Sequence, residues 1–311
     1  MHGFIANTDF EWLTAVRRTG PSIGEVVYWR AGTERFRALE PGEPFFFKLK
    51  APLDGIAGFG FFSHFIVLPL SVAWKIGGSA NGARDELEMR ERLVSLRSRV
   101  GMKTPVHGDV PVGCILINHP TFFGEGDFVH VPSDFVAHVG QGKVYDLSRG
   151  GGRAIWTDCL ARLDGREGDE IAHGGRAGRR SPALAFSRLG RLSFTTNVIE
   201  KYRSRCTVTD EPSLPALQVV RIRRFGDDRE LDVDNGLLLR ADLAGLFESG
   251  WVTVTPDYEF RVSESLLERE RANGQVDWKD LHGTPIHVPR LRRDRPSREA
   301  LWWHNEKRFV G

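Results

Sequence analysis

Apolar and polar residues alternate over PFFFKLKAP (44–52), which predicts a strand with Phe45, Phe47 and Leu49 on one face and Phe46, Lys48 and Lys50 on the other. GFGFFSHF (58–65) predicts a second strand, and LPLSVAWKI a short helix. RDELEMRERLVSLRSRV (84–100) places Met89, Leu93, Leu96 and Val100 at helical spacing with charges between them, the pattern of an amphipathic helix. GCILINHP predicts an apolar strand ending at Pro120, and FVAHVGQGKVYDL a strand-and-turn region. Further on, WVTVTPDYEFRV predicts a hairpin turning at Pro256-Asp257. SESLLERERANG predicts a helix capped by Ser263 and stopped at Asn273-Gly274. PSREALWWHNEKRF predicts a final helix capped by Ser297, with Leu301 and Trp302 available for packing.

Between these blocks, DGREGDEIAHGGRAGRRSP (164–182) is rich in glycine and charge and poor in apolar residues, which suits a linker. The expected division is a domain over 1–164, a Gly/Arg-rich linker over 165–184 and a second domain over 185–311. A chain of 311 residues is long enough for two such cores. No stretch approaches the roughly 20 apolar residues of a membrane span. The N-terminus carries no secretory pattern, and Cys114, Cys159 and Cys206 form no CxxC pair, so a reducing cytoplasm is the expected location.

Charge is nearly balanced, 43 basic against 41 acidic residues, which excludes a globally cationic DNA-coating protein. The arginines cluster instead, at 221, 223 and 224, at 290, 292, 293 and 295, and at 176, 179 and 180. Arginine grips phosphate bidentately, although such clusters are commonly just solvated charge. There is no GxSxG, Walker or HExxH signature. No histidine lies between His173 and His282, so chemistry there is limited to carboxylates, asparagine and arginine.

That stretch carries a resemblance. RCTVTDEPSLPALQVVRIRRF, DVDNGLLLRADLAGLFESGWVTVTPDYEFRVS, LHGTPIHVP and RPSREALWWHNEKRF together resemble the HNH endonuclease family over residues 200–311. The resemblance implies a ββα-metal fold, with a histidine base ending the first strand, an orienting asparagine and a metal-binding histidine on the helix. Carried over, the asparagine is Asn235 and an aspartate at the helix start is Asp242, but the base position is Arg221 and the metal position Ala244. Arginine stays protonated and takes no proton from water, and alanine has no ligand atom. The expectation is an HNH-like domain that keeps DNA affinity and has lost cleavage, with no cofactor. The alternative is an active modification-dependent endonuclease holding Mg²⁺ or Mn²⁺ through Asp242 with Asp234 or Asp232. His282 and His304 are expected to be structural.

The first half resembles the module preceding HNH in a bacterial group of restriction endonucleases, through FRALEPGEPFFFKLKAP, AGFGFFSHFIVLPLSVAW, NHPTFF and VGQGKVYDL. The resemblance implies a reader of modified DNA, either a sulfur-binding domain recognising phosphorothioate or a PUA-like base-flipping domain. For a sulfur reader, His119-Pro120 with Phe122 and Phe123 would supply apolar walls, and Lys48, Lys50, His64, Gln141 and Lys143 donors. A base-flipping reader would draw a cage from Phe46, Phe62, Trp74 and Tyr145, residues that core packing explains equally.

The fold class expected is therefore α+β: a mixed α/β reader with a twisted sheet or partial barrel, then a ββα domain. Arg223 and Arg224 would join Arg221 as DNA contacts. The implied partner is double-stranded, modified DNA, with no membrane involved and a homodimer as one arrangement. The functional context is restriction-modification, with the chain as a pseudo-nuclease.

Overall fold

The computed structural model describes residues 1–19, 24–105, 108–135, 142–172, 190–224, 231–273 and 278–311, with side chains of 164–172 and 270–273 excepted. Two compact units divide at Leu192/Ser193.

In the first unit, β1 (His2–Thr8), β2 (Glu25–Arg30), β3 (Pro44–Leu49), β4 (Gly55–Pro69), β5 (Pro111–Phe122), β6 (Val129–His130) and β7 (Lys143–Asp146) form one mixed sheet. Its order is β2-β5-β4-β3-β1-β7, with β6 paired to β4, and β1–β3 is parallel where the other pairs are antiparallel. Among the described residues the sheet is open: β2 and β7 end the path, and it does not close into a barrel. The class is α+β.

Strand β3 shows why the sheet is covered on both faces. Phe45 meets Phe4, Tyr28 and Phe36, whereas Phe46 meets Phe59 and Trp156. Alternating side chains thus feed two cores, as the period of two predicts. Helix α1 (Phe10–Arg18) covers one face, where Trp12 packs 5.3 Å from Phe47. Helices α2 (Leu70–Gly77) and α3 (Glu86–Arg99) lie between β4 and β5 in the chain, and Asp85 caps α3 by accepting from the Glu88 N–H at 2.8 Å. In α3 Met89 and Leu93 are buried as expected, but Val100 is exposed. Arg97 is buried instead, its guanidinium donating to the Ala31 and Pro111 carbonyls.

Helix α4 (Gly150–Ala172) contributes Ile155 and Cys159 to a cluster with Ile5, Phe46, Phe59, Phe123 and Tyr145. The helix runs eight residues into the segment read as linker from Gly165. The apolar residues at 155, 156, 159 and 163 recur at helical spacing, and helix propagates beyond its packed turns at little cost per residue. The arginines at 176, 179 and 180 lie outside the described residues.

The second unit is entered through α5 (Arg191–Lys201). Antiparallel β8 (Leu217–Arg221) and β9 (Gly236–Arg240) lead directly into α6 (Ala241–Glu248), a hairpin followed by a helix. Antiparallel β10 (Val252–Val254) and β11 (Phe260–Val262) follow, turning at Pro256-Asp257. Helices α7 (Glu264–Asn273) and α8 (Arg298–Lys307) complete the unit. Ser297 caps α8 by accepting from the Ala300 N–H at 3.3 Å. The Ser263 hydroxyl, expected to cap α7, is buried without a hydrogen-bond partner among the described residues, and Trp302 is exposed rather than packed.

Candidate functional site

The hairpin and helix of the second unit place the HNH-like positions together. Strand register sets Arg221 opposite Gly236, the residue after Asn235. The Asn235 side chain is buried, and its amide closes both main-chain groups of Arg223. Its Oδ1 accepts from the Arg223 N–H at 2.9 Å, and its Nδ2 donates to the Arg223 carbonyl at 2.7 Å. Only a side chain with donor and acceptor on one planar group satisfies both, which is why asparagine serves here. Gly236 has a separate reason: a Cβ there would stand 2.4 Å from Val198 Cγ2 of α5.

Around this clasp, Arg221 is half-buried and Arg224 exposed. The Arg223 guanidinium lies 5.5 Å from the Trp303 ring centroid and 3.3 Å from Glu299 Oε1. Ala244 is fully buried on α6. Asp242 is engaged by Arg240, which donates from Nε and an Nη to its two oxygens at 2.8 Å each, and this bidentate pairing holds the carboxyl below the usual range.

The HNH resemblance implies a divalent cation, and the donor set does not suit one. Ala244 offers no lone pair, and both Asp242 oxygens already face a guanidinium. Among the described residues no group of three or more His, Cys, Asp or Glu side chains is placed to share a metal. Asp232 and Asp234 sit in the turn before β9, where the Asp232 carbonyl accepts from the Asn235 N–H and the Asp234 carbonyl from the Ser297 N–H.

The downstream histidines are packed or peripheral. His304 is buried, stacked on Phe247 at 3.8 Å, with Nδ1 2.8 Å from Thr253 Oγ1 and Nε2 3.1 Å from the Phe247 carbonyl. Burial lowers its pKa to about 4, so the ring is neutral near pH 7. His282 Nδ1 sits against the Val262 main chain.

In the first unit, some of the expected reader residues converge. Lys48 is buried on β3, paired with Asp54, its Nζ 5.4 Å from the Phe135 ring centroid. Lys143 donates to the carbonyl and carboxylate of Asp134 at 2.7 and 2.8 Å, and Tyr145 donates to the same carboxylate at 3.1 Å. Asp134-Phe135 therefore joins both lysines at the rim of the buried cluster. The same-face expectation for Lys50 fails: it pairs with Asp9, beside the helix that packs on Phe47. The strand ends at Leu49, and the period of two stops governing direction there.

The remaining expected residues divide. His64 follows an irregularity in β4–β5 pairing, and His119 is exposed in the left-handed region at φ 49°. Pro120 is half-buried. Phe122 is half-buried and lies 5.3 Å from Phe47, whereas Phe123 is buried in the core. Gln141 lies outside the described residues. Of the residues expected for an aromatic cage, Phe46 and Tyr145 belong to one buried cluster, Phe62 packs on Phe36, and Trp74 is half-buried on α2. Trp156, absent from the sequence-level candidates, packs on Phe46, Phe59 and Phe61. Its spacing from Ile155 and Cys159 was the available signal.

No family model matches the chain, and no curated protein does. Among solved structures, it is similar to two point mutants of ZmASCH from Zymomonas mobilis, at 11% and 12% identity and a TM-score of 0.31 each. These matches cover 50% and 52% of this chain and 96% and 95% of those. A modification-dependent TagI restriction endonuclease is a weak structural neighbour at 12% identity and TM-score 0.29, over 94% of this chain and 78% of that one. Similarity at that level assigns neither a family nor a chemistry. Among the described residues no helix is long and apolar enough to cross a membrane.

Proposed function

We propose that this protein binds modified double-stranded DNA through its first unit, and that its second unit is an HNH-like hairpin-helix without cleavage activity. The observation that carries the reading is the Asn235 clasp on Arg223, with Arg221 at the strand end and Ala244 on the helix. A guanidinium attracts phosphate and repels a cation, and it abstracts no proton from water. Lys143, half-exposed beside Asp134-Phe135, would supply a donor in the first unit. Three buried free cysteines are consistent with a reducing, cytoplasmic setting. Phosphorothioate is the modification we propose, and a flipped base is the alternative that the 5-methylcytosine duplex tests.

The test combines a gel shift and a cleavage assay on unmodified, phosphorothioated and 5-methylcytosine duplexes with Mg²⁺ or Mn²⁺. A shift selective for phosphorothioate without strand scission is the expected outcome. Cleavage of any duplex, abolished by Asp242→Ala, overturns the loss of activity. Non-selective binding that falls steeply with salt overturns the reading of a modification.

A further inference from the structure

We propose that a basic cavity in the second unit, remote in sequence from the Asn235 clasp, is a binding site for a phosphate monoester of nucleotide size. The cavity encloses about 400 Å³, within the range of small-molecule sites, and lies between the loop after α5 and the segment 287–290. Lys201, Arg203, Arg205 and Arg290 line it together with His287 and Asp210.

Its charge is not self-cancelling. Arg205 pairs with Asp210 at 2.8 Å and Lys201 with Asp294 at 2.9 Å. Arg203 and Arg290 have no carboxylate partner among the described residues, so two guanidiniums remain, matching the charge of a monoester dianion. Arg203 and Arg290 are exposed at the cavity's edge, where their guanidiniums are free to close on an entering anion.

The walls are held in place by bonds other than those to a ligand. Arg203 and Ser204 turn the chain in the left-handed region, at φ 54° and 56°, with their N–H groups donating to the Glu200 and Ile199 carbonyls. Cys206, wholly buried, accepts from the N–H of Arg240 at 3.3 Å. The far wall is tied across by the His287 N–H to the Thr207 carbonyl at 2.7 Å, and by the Thr207 hydroxyl to the His287 carbonyl. Arg295 donates to the Pro289 carbonyl at 3.1 Å. Such a cavity loses little conformational freedom when an anion enters.

The source of the phosphate is either a free nucleotide or the phosphorylated end of a DNA strand, and calorimetry on the full chain separates them. The titrants are dAMP, deoxyadenosine, and a short DNA duplex with and without 5′-phosphates. Single-site binding of dAMP, of the 5′-phosphorylated duplex, or of both, with no binding of deoxyadenosine, supports the site and names the source. Arg203→Ala/Arg290→Ala should weaken that binding about a hundredfold, roughly tenfold for each charge-assisted contact. Arg99→Ala, removing an exposed arginine of α3, should leave it unchanged. Absence of binding by both phosphorylated ligands overturns the proposal. So does equal binding of deoxyadenosine, an unaffected double variant, or equal weakening by Arg99→Ala. Selectivity for modified DNA plays no part in these readouts, so this site stands or falls independently of the proposed function.

Discussion

Replacing the buried Asn235 by alanine should loosen the β8–β9 hairpin. Two hydrogen bonds at 2.9 and 2.7 Å disappear together, and both end on the main chain of one residue, Arg223. The cost lies less in the lost bonds than in the Arg223 N–H and carbonyl left facing a buried site. An unsatisfied buried group costs about 1–3 kcal/mol. With two groups, partly reachable by water, the expected loss is about 2–4 kcal/mol for the second unit. Asn235→Asp retains the acceptor for the Arg223 N–H but turns an oxygen toward the Arg223 carbonyl, so it should not restore the wild-type value. Hydrogen exchange followed by mass spectrometry suits a two-unit chain, because peptides spanning 217–240 report this hairpin alone. Faster exchange there in Asn235→Ala, with peptides of the first unit unchanged, is the expected pattern. Unchanged protection over 217–240, or a loss below about 1 kcal/mol, would refute the assignment of the amide as the clasp.

Three other perturbations test the packing. His304 has a folded pKa of about 4 against 6.5 in the unfolded chain. The neutral ring therefore costs nothing above pH 6.5, and stability falls as pH drops from 6.5 toward 4, by about 3 kcal/mol at about 1.36 kcal/mol per pH unit. Urea unfolding across that window should show the slope, and His304→Gln should flatten it; equal slopes in both proteins would contradict the assignment. Gly236→Ala drives a methyl into Val198 and should destabilise the second unit by about 1–3 kcal/mol, read as a lower melting temperature. Trp156→Ala removes the ring packed on Phe46, Phe59 and Phe61, and should cost the first unit about 3 kcal/mol in denaturant titration.

Much of the local structure is readable from residue order, because hydrogen bonding within a segment imposes its period on the apolar pattern. The alternation in PFFFKL does set Phe45 and Phe46 into different cores, and Ser297 does cap its helix. The turn at Pro256-Asp257 follows from the same local rules, whereas the hairpin-to-helix order around Asn235 is an expectation from the HNH resemblance. Side-chain direction beyond an element's end does not. Lys48 and Lys50 share parity, yet one meets Asp54 and the other Asp9, since only the first lies inside the strand.

What tertiary structure alone decided are the arrangements joining distant residues. Phe123 reads as a pocket wall until packing commits it to the buried cluster, and Trp156 joins the aromatic residues only when α4 packs on the sheet. The basic cavity unites the loop after α5 with a segment tied to it across a separation of 80 residues. No periodicity records such a meeting, because the energy that selects it comes from burial and long-range hydrogen bonds rather than from neighbours along the chain.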